Sequence, residues 1–371
     1  MSLQGEKVFE KAPYGLKLSF IIMTTLFSFS VHAWDGDQID NDEKVQFFPS
    51  YGYFDSVNGK WMLTIQGHIF EPTTSRVKRS AVISGFEAYT GSTVQDKDEF
   101  WSRIRPLVSD NERGEKIHVK LGEKTYNLPQ SNAGGRVTAK LALTENEAGQ
   151  LKDIDGWITY SATAVNNRTF TGKIQPIQPE GVSVISDIDD TIKITEVYEG
   201  GKTMLLNTFI RPPKAAPGMS EFYRKLRESG ACFHYVSGSP WQLYPMLGKF
   251  LSDNSFPAGS FNMKEFRANP SSAQFWEFIA SGSTEEFKKQ AIKDIITSYP
   301  HRQFILIGDS GEHDPEVYGW AADAYPGQVK EIYIRNVTQE TFGNKRMRKS
   351  FEAISSKVGF INMNDGSIEE P

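Results

Sequence analysis

Two patterns of hydrophobic and polar positions divide the chain. From Val45 to about Ile177 apolar and polar residues alternate singly, as in Trp61-Met62-Leu63-Thr64-Ile65. That is the two-residue period of a strand with one wet face. Ile117 to Leu121 and Thr125 to Leu128 repeat it on either side of Gly122-Glu123, a hairpin signal. Arg136 to Leu143, Trp157 to Ala164 and Thr169 to Ile177 continue the pattern. The spacing of Phe100, Ile104 and Leu107 predicts one helical interruption, Asp96 to Val108. This half, 34–178, reads as a mainly-β, sandwich-like domain. Its aromatic segment Phe47 to Phe54 suits either core packing or a protein partner, and packing is the commoner use of such residues.

Beyond Pro176, Pro179 and Gly181 the pattern changes to continuous apolar runs separated by helical stretches. Strands are predicted at Val182 to Ile185, Cys232 to Val236, Phe304 to Ile307 and Glu331 to Ile334. Helices are predicted at Met219 to Glu228, Trp241 to Leu251 and Glu285 to Tyr299. Apolar strands alternating with amphipathic helices indicate an α/β domain, 179–371, with a parallel sheet covered on both faces. In such sheets ligands collect at the carboxyl ends of the strands.

Composition adds boundaries. The 371 residues exceed one ordinary core, which agrees with two domains. A formal charge of -5 and a mean hydropathy of -0.44 describe a globular chain and argue against one held on nucleic acid by a global positive field. The basic run Lys345-Arg346-Met347-Arg348-Lys349 reads as a solvated helix face rather than a lipid-docking patch. The lone thiol, Cys232, has no second cysteine to pair with and sits in an apolar run. Near the start, Leu18 to Val31 is apolar and uncharged, follows Lys7, Lys11 and Lys17, and ends in Val31-His32-Ala33. It is shorter than the roughly 20 residues of a membrane span. It reads as a secretory signal, 1–33, cleaved near Ala33 to leave a periplasmic or secreted protein, although Glu6 and Glu10 make the leader atypical.

The chemistry follows the apolar runs. After Val182 to Ser186 comes Asp187-Ile188-Asp189-Asp190-Thr191; after Phe233 to Val236 comes Ser237-Gly238-Ser239-Pro240. After Phe304 to Ile307 comes Gly308-Asp309-Ser310-Gly311-Glu312-His313-Asp314, and the helix before it carries Lys288 and Lys289. Each run alone has an ordinary reading as a solvated loop, a turn or a helix cap. Together and in order, they predict one site at one sheet edge. Asp187 and Asp309 would repel a phosphate dianion, so the site calls for a hard cation, and oxygen ligands of this kind suit Mg²⁺. Asp187, Asp309 and the Asp189 carbonyl are its expected ligands, with Asp314 orienting or supplementing them. An Asp187 oxygen would attack phosphorus, giving an aspartyl phosphate. Asp189 would protonate the leaving oxygen and then deprotonate water. Thr191, Ser237 and the amides beside it, Gly238 included, would hold phosphoryl oxygens.

This order of motifs resembles the haloacid dehalogenase superfamily. Within it, Ser186 to Lys193, Tyr235 to Trp241, Ile305 to Tyr318 and Ile332 to Val337 resemble the phosphatidate phosphatase catalytic domain of the actin-patch protein type, over roughly Gly181 to Phe351. The resemblance implies a Rossmann-like parallel sheet with small cap insertions. It also implies Asp187 as nucleophile, Asp189 as acid and base, Ser237 for phosphate and Asp309 for magnesium. The family places His-Lys at the start of the third-motif helix, where this chain has Phe287-Lys288-Lys289. Alignment on Ile292 favours Lys288, and only one of two neighbours about 100 degrees apart on a helix faces the site.

The segments available to roof the site, Glu196 to Pro217 and Arg267 to Thr284, are short, which predicts an open site. An open site suits a phosphate carried on something large. The favoured substrate is phosphatidate at a membrane surface, converted to diacylglycerol and phosphate. The alternative is a phosphoprotein or small phosphomonoester, with the β domain selecting a protein partner. A non-enzymatic binding module is disfavoured by the intact aspartates. Tyr198, Met204, Phe209, Arg211, Trp241 and Trp276 are candidates to touch a lipid headgroup, or to pack in the core.

Overall fold

The computed structural model describes residues 39–265, 276 and 284–369. The leader and most of the Arg267 to Thr284 insertion lie outside the described residues. Among the described residues no helix is long and apolar enough to cross a membrane. Gly36–Pro371 is one compact unit of mixed α/β structure, built on two sheets.

The first half supplies β1 (Lys44–Phe47), β2 (Ser50–Asp55), β3 (Lys60–Glu71), β4 (Asp110–Asn111), β5 (His118–Leu121), β6 (Lys124–Asn127), β7 (Arg136–Leu143), β8 (Ile158–Thr163) and β9 (Thr169–Pro176). The expected hairpin is present, with His118 opposite Asn127 and Leu121 opposite Lys124. All nine strands join one sheet in the order β1-β3-β2-β9-β8-β5-β6, with β4 and β7 also on β3, whereas a sandwich has two sheets. One helix was expected here, and the described residues hold three: α1 (Arg76–Thr90), α2 (Lys97–Val108) and α3 (Glu145–Leu151). Helix α1 was obscured by its β-branched Val77, Val82 and Ile83 and by Gly85, which weaken local helical preference. Packing overrides that preference, for Val82, Ile83 and Phe86 are buried. Helix α3 carries a capping box, Thr144 with Glu147, a legible start signal.

The second half supplies β10 (Gly181–Ser186), β11 (Cys232–Pro240), β12 (Ser260–Lys264), β13 (Arg302–Asp309), β14 (Val329–Asn336), β15 (Val358–Asn362) and β16 (Ile368–Glu369). Their order is β12-β11-β10-β13-β14-β15-β16, and only the last pair is antiparallel. Helices α4 (Gly201–Phe209), α5 (Met219–Glu228), α6 (Tyr244–Asp253), α7 (Glu285–Ser298), α8 (Asp314–Ala324) and α9 (Lys345–Phe351) accompany them. Strand alternation sorts the core. Val184, Phe233, Ile305 and Tyr333 pack with Met219, Tyr223 and Leu247, while Ile185, Val236, Leu306 and Ile332 pack with Ile292, Ile296 and Val317.

The aromatic segment Phe47 to Phe54 packs inward. Phe47, Phe48 and Tyr51 are buried; Phe48 stacks on Trp241 at 5.7 Å, and Tyr51 meets His234 edge-on at 5.3 Å. The Tyr299 hydroxyl donates to the Gly52 carbonyl at 3.0 Å. The basic run forms α9, where Met347 is buried and Arg346 pairs with Glu316 and Glu340.

Candidate active site

Strands β11, β10 and β13 are neighbours in parallel, so their carboxyl ends, Ser237, Asp187 and Asp309, lie along one edge. The Asp187 amide donates to the Ile307 carbonyl at 2.9 Å, which carries the pairing one residue past β10. The chain then turns sharply. Asp190 sits at φ +56°, a left-handed conformation that aspartate tolerates, and its carboxylate accepts from the amides of Thr195, Glu196 and Val197. This turn is a backbone scaffold that aims the residues on either side of it.

Asp187 is 2 % exposed, and its Oδ1 lies 2.9 Å from the Lys288 ammonium. Thr191 Oγ1 donates to its Oδ2 at 3.2 Å. Lys288 is equally buried and also reaches Glu312 at 2.9 Å and Asp314 at 2.6 Å. The lysine register is thereby resolved: Lys289 turns to Glu285 on the wet face of α7. One oxygen each from Asp187, Glu312 and Asp314 lie within 4.8 Å of one another. Asp309 adjoins this trio without belonging to it. Its Oδ1 accepts from the amides of Gly311 and Glu312, while its Oδ2 is buried with no hydrogen-bond partner. Asp314 opens α8 and its Oδ2 accepts from the Asp309 amide at 3.1 Å. Gly308 makes that approach feasible, since a Cβ there would meet the Asp314 carboxylate at 2.3 Å.

Asp189 faces a different set of partners. Its carboxylate accepts from Thr195 Oγ1 at 2.6 Å and Ser239 Oγ at 2.8 Å, with Lys193 Nζ at 3.4 Å. Ser237 is fully buried, with its Oγ 3.5 Å from Asp189 and accepting from the Ser239 amide. Gly238 lies against Thr284 at the start of α7, and a Cβ there would come within 2.1 Å of its methyl. Of the expected residues the structure brings Asp187, Lys288 and Asp314 together, joined by Glu312. Asp309 stands beside that group, whereas Asp189 turns to Thr195, Ser239 and Lys193, three residues the sequence did not single out. Glu312 was legible as an acid between Asp309 and Asp314. The other three lie in or beside the motifs, with no spacing that marks them. Arg346 of α9 donates to the carbonyls of Ser310 and Glu312, holding the acidic loop from behind.

Charge in this pocket is unbalanced. Among the described residues four buried or half-buried carboxylates, Asp187, Asp309, Glu312 and Asp314, face Lys288, with the buried Arg335 also acting on Asp309. Burial pushes the Asp187 carboxyl well above the usual range against the pull of Lys288, and burial with Asp314 and Glu312 does the same to Asp309. Burial alone would lower Lys288, but the carboxylates around it hold it well above an ordinary lysine. Asp189 behaves oppositely: burial would raise it, yet Lys193, Thr195 and Ser239 keep it below the usual value. An all-oxygen donor set with one orphaned buried oxygen fits a hard divalent cation.

Of the six residues considered for headgroup contact, Phe209, Trp241 and Trp276 are buried core. Tyr198 and Met204 are half-buried, and Arg211 is held by Asn207 at 2.8 Å.

Residues 182–336 match the family model of the phosphatidate phosphatase APP1 catalytic domain. The chain is 29% identical over 274 residues to phosphatidate phosphatase APP1 of Saccharomyces cerevisiae, covering 70% of this chain and 44% of that protein. It is 31% identical over 179 residues to an uncharacterised protein of Schizosaccharomyces pombe, covering 47% and 28%. The chain thus spans less than half the length of either relative. A solved class C acid phosphatase from Bacillus anthracis aligns at TM-score 0.26 and 12% identity over 40% of this chain and 62% of that one, too distant to carry an argument. The family match and the yeast relative together support an APP1-type catalytic domain over residues 182–336.

Proposed function

We propose that the protein is a phosphoric monoester hydrolase that takes the phosphoryl group from phosphatidate, using Asp187 as nucleophile and Mg²⁺ as cofactor. The observation that carries this reading is the convergence of Asp187, Glu312 and Asp314 on Lys288 at one sheet edge. The parallel order of β10 to β15 supports a haloacid dehalogenase-type arrangement, preceded by an accessory β domain. Asp187, Asp309, Glu312, Asp314 and the Asp189 carbonyl would hold the ion. Bound there, Mg²⁺ supplies positive charge toward the phosphoryl oxygens.

An Asp187 oxygen bonds to phosphorus as the bond from phosphorus to the glycerol oxygen breaks. Lys288 offsets negative charge on Asp187 and on the transferring group. Asp189, which Lys193, Thr195 and Ser239 keep ionised in the free site, takes up the proton that a phosphate monoanion brings and gives it to the departing oxygen, so diacylglycerol leaves neutral. It then takes a proton from the water that attacks the aspartyl phosphate, which frees phosphate and restores the Asp187 carboxylate. The hydroxyls of Thr195 and Ser239 both donate and accept, so they serve Asp189 in either protonation state. Ser237 and the Gly238 amide would receive phosphoryl oxygens. The yeast relative, a phosphatidate phosphatase, supports the lipid substrate, and the apolar leader supports export to the periplasm or medium.

The test compares phosphatidate vesicles with p-nitrophenyl phosphate, each with Mg²⁺ and with EDTA. The lipid should be turned over faster by at least tenfold and both activities should stop with EDTA. Equal rates would favour a small phosphomonoester or a phosphoprotein as substrate, and indifference to chelation would remove the metal.

A further inference from the structure

The run Ile332 to Val337 carries part of the family resemblance without supplying a residue to the proposed chemistry. Its one charged residue, Arg335, lies near the carboxyl end of β14, opposite Asp309 of β13 and Ile361 of β15. The side chain is buried, at 3 % exposure, and among the described residues Asp190 and Asp309 act on it through space rather than by a carboxylate hydrogen bond. Its Nη1 donates to the Asp190 carbonyl at 2.6 Å and its Nη2 to the Met363 carbonyl at 3.0 Å, while its Nε is buried with no partner. For stability alone this is a poor choice, since a buried cation short of partners costs more than an apolar side chain of similar volume. What a guanidinium offers is a planar fork that fixes two acceptors relative to each other.

The carbonyl it grips belongs to the left-handed turn. The Asp190 amide donates to the Lys193 carbonyl at 2.7 Å, and its carboxylate accepts from the amides of Thr195, Glu196 and Val197, so these groups bond within their own segment. Its carbonyl alone reaches another element, β14. Asp187 does not depend on that tie, because its amide is fixed on Ile307 and its carboxylate on Lys288 and Thr191. Asp189 is joined directly to the turn residue and has to meet Thr195 and Ser239 from there. A turn released at its carbonyl would swing the Asp189 carboxylate, and a displacement of about 1 Å can cost about a hundredfold in rate.

We propose that Arg335 is a positioning residue for proton transfer: by tying the Asp190 carbonyl to β14 and to the loop after β15, it aims the Asp189 carboxylate at the departing oxygen. The inference rests on the role given to Asp189 above. Arg335 itself touches no reacting atom.

R335K and R335M are compared with wild type and D189N on two esters. One is p-nitrophenyl phosphate; the other is an alkyl phosphate, phosphatidate or, where that is not hydrolysed, glycerol 3-phosphate. p-Nitrophenolate leaves as a stable anion and needs little help from an acid, whereas an alkoxide needs the proton. Because kcat/KM reports the steps up to cleavage of that bond, the quantity read is the alkyl-to-nitrophenyl ratio of kcat/KM. A loss of folded enzyme, or of charge beside Asp309, touches both esters alike and cancels in the ratio. The ratio should fall by about a hundredfold or more in D189N, and by roughly tenfold in both Arg335 variants, since lysine keeps the charge but not the fork. R335K carries the test where R335M does not fold. A fall in D189N with unchanged ratios in the Arg335 variants overturns the proposal and leaves the role of Asp189 standing. An unchanged ratio in D189N, or a wild type that hydrolyses no alkyl ester, overturns that role and the proposal with it. Arg335 variants that both fail to fold assign the residue to stability and overturn the proposal as well.

Discussion

Replacing Asp187 by Asn separates chemistry from stability, and the magnitudes can be worked from the pocket. The change removes an attraction to Lys288 at 2.9 Å, about 6 kcal/mol at an effective dielectric of 20. It also removes repulsion from Glu312 and Asp314, whose oxygens lie within 4.8 Å. At that separation each repulsion is about 3.5 kcal/mol or more on the same scale, so the two together match or exceed the lost attraction. The burial penalty of the carboxylate disappears as well. In EDTA, therefore, D187N should unfold in urea at the wild-type midpoint or above it. Turnover, by contrast, should fall by at least about a thousandfold, because the attacking oxygen is gone. The assay pairs urea unfolding in EDTA with Mg²⁺-dependent phosphate release. A D187N midpoint well below wild type would refute the reasoning: the ion pair with Lys288 would then outweigh the crowding of acids.

The complementary change, Lys288→Met, leaves two buried carboxylates and the half-buried Glu312 without their cation and should cost about 3–5 kcal/mol in urea unfolding with EDTA present, partly recovered when Mg²⁺ is added. Acid should also destabilise the fold through His68. Burial depresses it from 6.5 to about 4, so the unfolded chain takes up the proton first and stability falls as pH drops from about 6.5 toward 4. The contribution is about 3 kcal/mol, measured as the difference in unfolding free energy between pH 7 and pH 4, and H68Q should remove that part of the slope.

Much of the second half was legible because its strands are continuous apolar runs, a pattern that burial on both faces requires. Met219–Glu228 matches its expected bounds, and strands β10, β11, β13 and β14 contain the runs assigned to them. The lysine choice was also encoded. Lys288, Ile292, Ile295 and Ile296 share the buried face of α7, so the apolar stripe that predicts the helix also carries the lysine inward. What could not be read is the pairing within the pocket. Nothing in the sequence says that Asp189 turns to Thr195 and Ser239 while Asp187 turns to Lys288, for both lie in one five-residue run. The left-handed turn at Asp190, fixed by three amide donors, separates them. Trp241 and Trp276 were ambiguous for a related reason: bulk suits a lipid or a core, and only the contacts with Phe48, Phe86 and Phe209 decide for core.

Register explains why residues 122 positions apart, Asp187 and Asp309, reach one pocket. β10 and β13 are paired from Gly181 opposite Arg302 to Ser186 opposite Ile307. Arg302 secures the amino end of that pair, donating to the carbonyls of Gln178, Glu180 and Val182 and to Ser183 Oγ. The Asp187 amide secures the carboxyl end on Ile307. A slip of one residue between these strands would exchange the faces of every side chain. It would put Ile185 and Val184 into the wrong cores and turn Asp187 away from Lys288. The apolar alternation that keeps the two cores apart is therefore what aims the nucleophile. The linker at Gln178 to Glu180, held by Arg302, belongs to the site's architecture although it touches none of its atoms.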